Sequence, residues 1–220
     1  MRVAPSILSA DFSRLGDQIA QLEEAGARQF HLDVMDGHYV ENLTFGPLVV
    51  QAIRRSTRLP LDVHLQIENA DRWIDRFSDS GADMIAIHPE TLDHHLHRTF
   101  EAIRARGKKA GIALHPSKTV ATVEEMLAHI DYVIVMSVYP GFAGQKFLSG
   151  SFARVEKLRE LLRERKLAVE IEIDGGIGVN NIRQAVEAGA DVVVAGSAVF
   201  AGENPVVKLR AMLTAARNGA

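Results

Sequence analysis

His31 and Asp33 stand two residues apart in the run His31-Leu32-Asp33-Val34-Met35-Asp36-Gly37. In a strand, alternate side chains share a face, so His31, Asp33 and Met35 point one way and Leu32 and Val34 the other. An imidazole and a carboxylate on one face are half of a metal or acid–base site. The run Leu61-Asp62-Val63-His64-Leu65-Gln66 repeats the pattern, with Asp62, His64 and Gln66 on one face. A third run, Val169-Glu170-Ile171-Glu172-Ile173-Asp174, alternates three carboxylates with three aliphatic side chains. Buried carboxylates are costly unless paired or bound to a cation. Taken singly, each of these residues reads as well as a hydrogen-bonded core histidine or an ion-paired acid. Together His31, Asp33, His64 and Asp174, at the ends of three strands, favour a site. Two imidazoles and two carboxylates suit Zn²⁺, Fe²⁺, Mn²⁺ or Co²⁺ better than Ca²⁺, which takes oxygen ligands.

The elements that must position these residues recur along the chain. Short runs rich in Val and Ile at 3–6, 29–35, 61–66, 84–88, 110–114, 132–137, 169–174 and 192–195 read as strands. Amphipathic runs at 14–24, 47–55, 70–78, 94–106, 123–128, 152–165, 180–187 and 206–217 read as helices between and after them. Ser13 and Asn69 stand where the first and third helices would take N-caps. Ala25-Gly26-Ala27, Ser80-Gly81-Ala82-Asp83 and Ala188-Gly189-Ala190-Asp191 each close a helical run and enter a strand, with glycine at the left-handed C′ position. These tags recur at about two and four multiples of roughly 27 residues, the step of eight strand–helix units in a chain of this length. The expectation is an α/β fold, a closed (β/α)₈ TIM barrel forming one catalytic domain over residues 1–220. The G-x-G-x-x-G fingerprint of the rival doubly wound sheet does not follow the first strand.

In such a barrel, chemistry sits at the carboxyl ends of the strands. The sixth, seventh and eighth strands run into Val138-Tyr139-Pro140-Gly141-Phe142-Ala143-Gly144-Gln145, Gly175-Gly176-Ile177 and Gly196-Ser197-Ala198. Backbone amides of glycine-rich loops can approach a phosphate, a helix start at Ser197 would add its dipole, and the loops after the last two strands are the recurring phosphate site of the fold.

Composition narrows the class. The 220 residues are 47% hydrophobic and 24% charged, ample for a core. Net charge is −3 and the 25 basic residues are scattered, which argues against nucleic acid. The absence of cysteine excludes a disulfide scaffold and a thiolate zinc site. The first residues show no apolar signal region, and the most apolar run, 192–200, is far short of the ~20 residues that span a bilayer. A cytoplasmic protein without a membrane partner is expected.

The chain resembles the ribulose-phosphate 3-epimerases over nearly its full length. The matching segments are Ala4-Pro5-Ser6-Ile7-Leu8-Ser9-Ala10-Asp11-Phe12, His31 to Gly37, Asn42-Leu43-Thr44-Phe45-Gly46-Pro47, Asp62-Val63-His64-Leu65, Met136-Ser137-Val138, Pro140-Gly141-Phe142, Asp174-Gly175-Gly176 and Ala195-Gly196-Ser197-Ala198. The resemblance implies an isomerase of carbohydrate metabolism that interconverts D-ribulose 5-phosphate and D-xylulose 5-phosphate. It implies one divalent cation per subunit, Zn²⁺ or Fe²⁺ before Mn²⁺ or Co²⁺, held by His31, Asp33, His64 and Asp174. Asp33 and Asp174 would also be the acid and base. Ser6 and His64 would meet the substrate, and Gly141, Phe142, Ala143, Gly144, Gly175, Gly176, Gly196 and Ser197 would hold its phosphate. Met35 and Met136 would shield the intermediate, though each reads as well as an ordinary core methionine. A homo-oligomer, dimer or hexamer, is implied too.

Epimerisation at C3 removes a proton from one face and delivers one to the other. Asp33 and Asp174 are expected well apart around the rim, on either side of the sugar. Gln66, His115, Tyr139 and Ala143 depart from the family's usual residues, and Gln66 and His115 could read the hydroxyls of another ketose phosphate, such as allulose 6-phosphate. A Schiff-base aldolase would want a lysine on an inward strand end, whereas Lys118 and Lys146 lie in loops. A decarboxylase of the orotidine-phosphate type would want Asp-x-Lys, but Val34-Met35 follow Asp33. A non-catalytic phosphosugar-binding barrel would tolerate loss of an aspartate, and both are present. Asp93-His94-His95-Leu96-His97 reads as a solvated helix start rather than a second metal site.

Overall fold

In the computed structural model, which describes residues 1–92, 95–202 and 204–217, eight runs of mostly β-branched residues pair into one parallel sheet. The strands are β1 (Arg2–Pro5), β2 (Phe30–Met35), β3 (Leu61–Gln66), β4 (Met84–Ile87), β5 (Lys109–Leu114), β6 (Tyr132–Met136), β7 (Glu170–Asp174) and β8 (Val192–Ala195). Each pairs with its neighbour in sequence from β2 to β8, and β8 pairs with β1 in register from Arg2↔Val192 to Pro5↔Ala195. A parallel bridge between Ser6 and His31 joins β1 to β2 and closes the ring. This is the expected TIM barrel.

Helices α1 (Leu15–Ala25), α2 (Pro47–Ser56), α3 (Ile74–Ser80), α4 (Leu96–Ala105), α5 (Ser151–Glu164), α6 (Ile182–Ala188), α7 (Ser197–Phe200) and α8 (Pro205–Arg217) follow the strands. Leu32 and Val34, facing out from β2, join the apolar layer beneath these helices together with Ile19, Leu22, Val50 and Ile53. The glycine tags act as expected: Gly26, Gly81 and Gly189 cap α1, α3 and α6 at φ of 116°, 109° and 104°, which a side chain would strain. Among the described residues no helix is long and apolar enough to cross a membrane.

Some local expectations are corrected. Residues 123–128 form no α-helix; two short 3₁₀ turns, Val120–Thr122 and Glu124–His129, bridge β5 and β6, the form that short connections favour. Ser13 does not cap α1. Its amide donates to Asp11 Oδ1, and Arg14 takes the cap position. Asn69 sits at a helix start in the left-handed region, and its side chain makes no capping bond. Of the 93–97 run, Asp93 and His94 lie outside the described residues, while His97 is exposed in the first turn of α4 and its Nε2 is 3.1 Å from His129 Nδ1.

Inside the barrel the polar side chains stack in layers. At the amino ends, Glu170 pairs with Arg2 at 2.6 Å and with Lys109 at 3.4 Å. Above it, Tyr132 crosses the interior and donates to Asp62 Oδ1 at 2.5 Å. The crossing depends on Gly111, the register partner of Tyr132: a Cβ there would lie 2.3 Å from the ring. Gly111→Ala is therefore expected to cost about 1–3 kcal/mol or more by forcing a fully buried, hydrogen-bonded ring to move. Gly16→Ala, in helix α1 with only an ordinary 3.6 Å neighbour, is expected to be neutral or stabilising by up to about 1 kcal/mol. Denaturant unfolding of the two variants checks the opposite signs.

Candidate active site

The register of β2 on β3 sets His31 beside Asp62, Asp33 beside His64 and Met35 beside Gln66. Each pair shares the inward face, so the carboxyl end of the barrel gathers what the two strands carry. Asp174, at the end of β7, completes the group. One ligand atom from each of His31, Asp33, His64 and Asp174 lies within 4.8 Å of the others. His31 Nε2 is 3.3 Å from Asp33 Oδ1 and 3.8 Å from Asp174 Oδ2; His64 Nδ1 is 3.3 Å and 3.9 Å from the same two atoms. The strands of the two aspartates are separated by β8 and β1. Their side chains reach inward and converge, so residues well apart around the rim bring their carboxylates to one group.

Both imidazoles are held from behind. His31 Nδ1 donates to Asp62 Oδ2 at 2.6 Å, which leaves Nε2 facing the group. His64 Nε2 lies 2.9 Å from His88 Nε2, which leaves Nδ1 facing it. A ring nitrogen aimed at a cation with its other nitrogen engaged is the arrangement ligating histidines adopt. The donor set, two imidazoles and two carboxylates with no lysine or arginine among them, fits a divalent transition-metal ion.

Electrostatics without a cation make the same point. Burial pushes Asp33 up, but His31 and His64 outweigh it and hold the carboxyl well below the usual range. Burial, and then the Asp33 charge, push Asp174 up to about 6. Burial pushes His31 down, but Asp33 and Asp62 outweigh it and raise it well above an ordinary imidazole. Burial, and then Asp62, push Glu172 well up, so this core carboxyl keeps its proton while accepting from Gln29 Nε2 at 2.9 Å. Burial takes His88 down to about 4.

A cleft opens above the group. Ser6 lines it and donates to Asp33 Oδ2 at 2.6 Å. Met35 and Met136, 3% and 2% exposed, lie on its floor with Gln66. Opposite stand Gly141, Phe142, Ala143 and Gly144, with Gly175, Gly176, Gly196 and Ser197 beside them. Gly176 has φ of 65°, and a Cβ there would meet the Phe147 amide nitrogen at 2.8 Å, so the chain turns through space only glycine fits. Asn42 Nδ2 donates to the Gly141 carbonyl at 2.8 Å and ties the loop after β2 to the loop after β6.

His64 is fully buried and reaches the cluster through Nδ1, 3.3 Å from Asp33 Oδ1. Two expectations change. His115 does not line the cleft; its Nδ1 is held by Ser117 at 2.7 Å. Gln66 does line it, but its amide donates to Asp33 Oδ1 at 2.8 Å while its buried Oε1 has no partner. Sequence reasoning missed His88, Tyr39 and Glu90. His88 ends the fourth strand run, and the strand-end search applied there would have found it; nothing local marks Tyr39 or Glu90.

The profile of the Ribulose-phosphate 3 epimerase family matches residues 2–200. The ribulose-phosphate 3-epimerase of Synechocystis sp. is 50% identical over 203 residues, 92% of this chain and 88% of that protein. That of Bacillus subtilis is 46% identical over 201 residues, 91% of this chain and 92% of that one. In fold, the chain is similar to 3-hexulose-6-phosphate synthase from Salmonella typhimurium, with a TM-score of 0.72, 15% identity and full coverage of both chains. With a barrel, a glycine-lined cleft and a buried two-histidine, two-aspartate cluster in place, and with a family match and identity of this extent, the chain belongs to the ribulose-phosphate 3-epimerase family.

Proposed function

We propose that the chain is a cation-dependent 3-epimerase of ketose phosphates, acting on D-ribulose 5-phosphate and D-xylulose 5-phosphate. The observation that carries this reading is the meeting of Asp33 and Asp174 beside two buried imidazoles, at one end of a cleft whose other wall is glycine-rich. In this reading His31, Asp33, His64 and Asp174 hold one divalent ion, Zn²⁺ or Fe²⁺ before Mn²⁺ or Co²⁺. When bound, the ion supplies positive charge beside the C2 carbonyl oxygen, which acidifies C3–H and stabilises the enediolate.

The chain's own groups do the rest. Asp33 removes the C3 proton in one direction and Asp174 delivers a proton to the opposite face, with the roles exchanged in reverse. Ser6 fixes Asp33 through Oδ2, so the carboxylate turns its other oxygen toward the histidines. Met35 and Met136 keep water from the carbanionic centre. Backbone amides around Gly141, Phe142, Ala143, Gly144, Gly175, Gly176, Gly196 and Ser197 take the phosphate.

One observation favours a second ketose phosphate as runner-up. Gln66 Oε1 is buried on the cleft floor without a partner, an acceptor for a substrate hydroxyl. A homo-oligomer, dimer or hexamer, is also part of the proposal; Leu43 and Leu48, 73% and 77% exposed, are apolar side chains that subunit contact would cover.

Incubation in D₂O with a panel of ketose phosphates, with metal analysis of the same sample, tests the reaction. Deuterium is expected at C3 of ribulose 5-phosphate, and no exchange with any member of the panel removes the epimerase reading. Asp33→Asn and Asp174→Asn are each expected to lower turnover by about 10²–10⁴-fold. An Asp174→Asn enzyme that keeps its metal and near-normal turnover sinks the two-carboxylate assignment. The metal-free protein should also show a pH signature. Asp174 titrates near 6 when folded and near 3.8 when unfolded, so the folded state holds the extra proton between those values and loses stability as pH rises through them. Metal-free Asp174→Asn is therefore expected to be more stable than the parent above pH 6, on the order of 2–3 kcal/mol, with the gap closing toward pH 4. Thermal melts across that range, in chelator, check the sign.

A further inference from the structure

The second imidazole of the cluster is oriented by a chain of groups that the reaction itself does not use. His64 turns Nδ1 to the cluster and sets Nε2 2.9 Å from His88 Nε2, with the rings stacked at 26° and centroids 5.0 Å apart. His88, fully buried just past β4, sets its Nδ1 3.0 Å from the Tyr39 hydroxyl. That hydroxyl donates to Glu90 Oε1 at 2.9 Å. Asp36 aims Tyr39 by accepting from the His38 and Tyr39 amides with Oδ1 and from the Glu68 amide with Oδ2.

Hydrogen-bond logic places every proton along this line. Two nitrogens 2.9 Å apart share one proton: two would set donor against donor, and none would set lone pair against lone pair. An imidazole that ligates through Nδ1 leaves that nitrogen bare and carries its proton on Nε2. His88 Nε2 is then the acceptor, and neutral His88 carries its own proton on Nδ1. That proton goes to the Tyr39 oxygen, and the Tyr39 proton goes to the Glu90 carboxylate. The line ends on the one group that only accepts.

We propose that His88, Tyr39 and Glu90 are positioning residues that fix His64 in the Nε2–H tautomer, with Nδ1 bare toward the cluster, and so set how tightly the site holds its cation. The assignment rests on His64 being a ligand. His31 gets the same service in one step from Asp62, through the opposite nitrogen, so the two imidazoles present different ring atoms. None of the three residues lines the cleft, so they act through His64 and not on the sugar. Tyr39 also belongs to the loop that follows β2, the strand of His31 and Asp33, and the chain ties that loop to the end of β4.

Zn²⁺ affinity, by competition with a chromophoric chelator, and the Co²⁺ absorption spectrum read the effect directly. His88→Leu is expected to weaken Zn²⁺ binding about 10–100-fold, the usual consequence of losing a partner behind a ligand. His88→Gln, whose carbonyl can still accept from His64, is expected to recover most of that affinity. Tyr39→Phe, nearly isosteric, is expected to move affinity in the same direction by less, because Glu90 Oε1 lies only 3.6 Å from His88 Nδ1; it decides the matter if His88→Leu does not fold. The KM for ribulose 5-phosphate at saturating Zn²⁺ should stay put in the Tyr39 and His88→Gln variants. Long-range ¹H–¹⁵N correlation of the Zn²⁺-loaded protein should show His64 protonated at Nε2 and His88 at Nδ1. Parent-like affinity in a folded His88→Leu, no recovery with His88→Gln, or a His64 Nδ1–H signal overturns the proposal. A parent protein that binds no Zn²⁺ overturns instead the reading of the site on which it rests.

Discussion

Two carboxylates brought within 4.8 Å of each other, one buried and one at the floor of the cleft, set the terms for everything around them. If both ionise, their repulsion at that separation costs about 3 kcal/mol in a medium of effective dielectric near 20, before the loss of hydration is counted. Relief comes from a proton on one of them or from positive charge between them. The protein is arranged for both. Asp33 is kept ionised by two imidazoles and by donors at both oxygens, while Asp174, pushed up to about 6, is the one that takes a proton first as pH falls when no cation is present. An asymmetric pair of this kind is what proton transfer across a carbon requires, since one group must be ready to accept while the other is ready to give.

The layers beneath keep that pair in place. Asp62 is buried, but it accepts from Tyr132 with one oxygen and from His31 with the other, so both oxygens are engaged and the histidine is oriented. Glu172 sits against it with its proton retained, which spares the barrel a further charge. At the amino ends, Glu170 with Arg2 and Lys109 faces solvent and touches none of the chemistry. Stability and reactivity are thus separated along the barrel axis, with Tyr132 and Gly111 at the joint.

The alternation of polar and apolar residues in β2, β3 and β7 made the cluster legible, because a polar face inside a barrel has nowhere else to point. Glycine tags made the repeat legible, because a helix that turns into a strand in two residues needs the left-handed conformation. Legibility failed where partners are distant in sequence. His88, Tyr39 and Glu90 meet only because the loop after β2 leans on the end of β4. The convergence of Asp33 and Asp174 was legible although their strands are separated around the ring, because inward side chains all point to its axis. The 3₁₀ turns before β6 were missed because apolar spacing over so few residues does not distinguish 3.0 from 3.6 residues per turn. His115 went astray because a residue just past a strand is free to turn away, here toward Ser117.

The ring is closed by a seam of unequal strength. On one side, β1 lies on β8 in a four-residue ladder; on the other, it meets β2 through the Ser6–His31 bridge. In chain order every other strand of the ring lies between β1 and its ladder partner β8. The Ser6 amide donates to the Ala195 carbonyl at 3.0 Å while its hydroxyl donates to Asp33, so one residue spans the seam between β8 and β2. Closure of the barrel and the orientation of Asp33 therefore meet in one side chain, and whatever loosens the β1–β8 ladder also loosens the carboxylate.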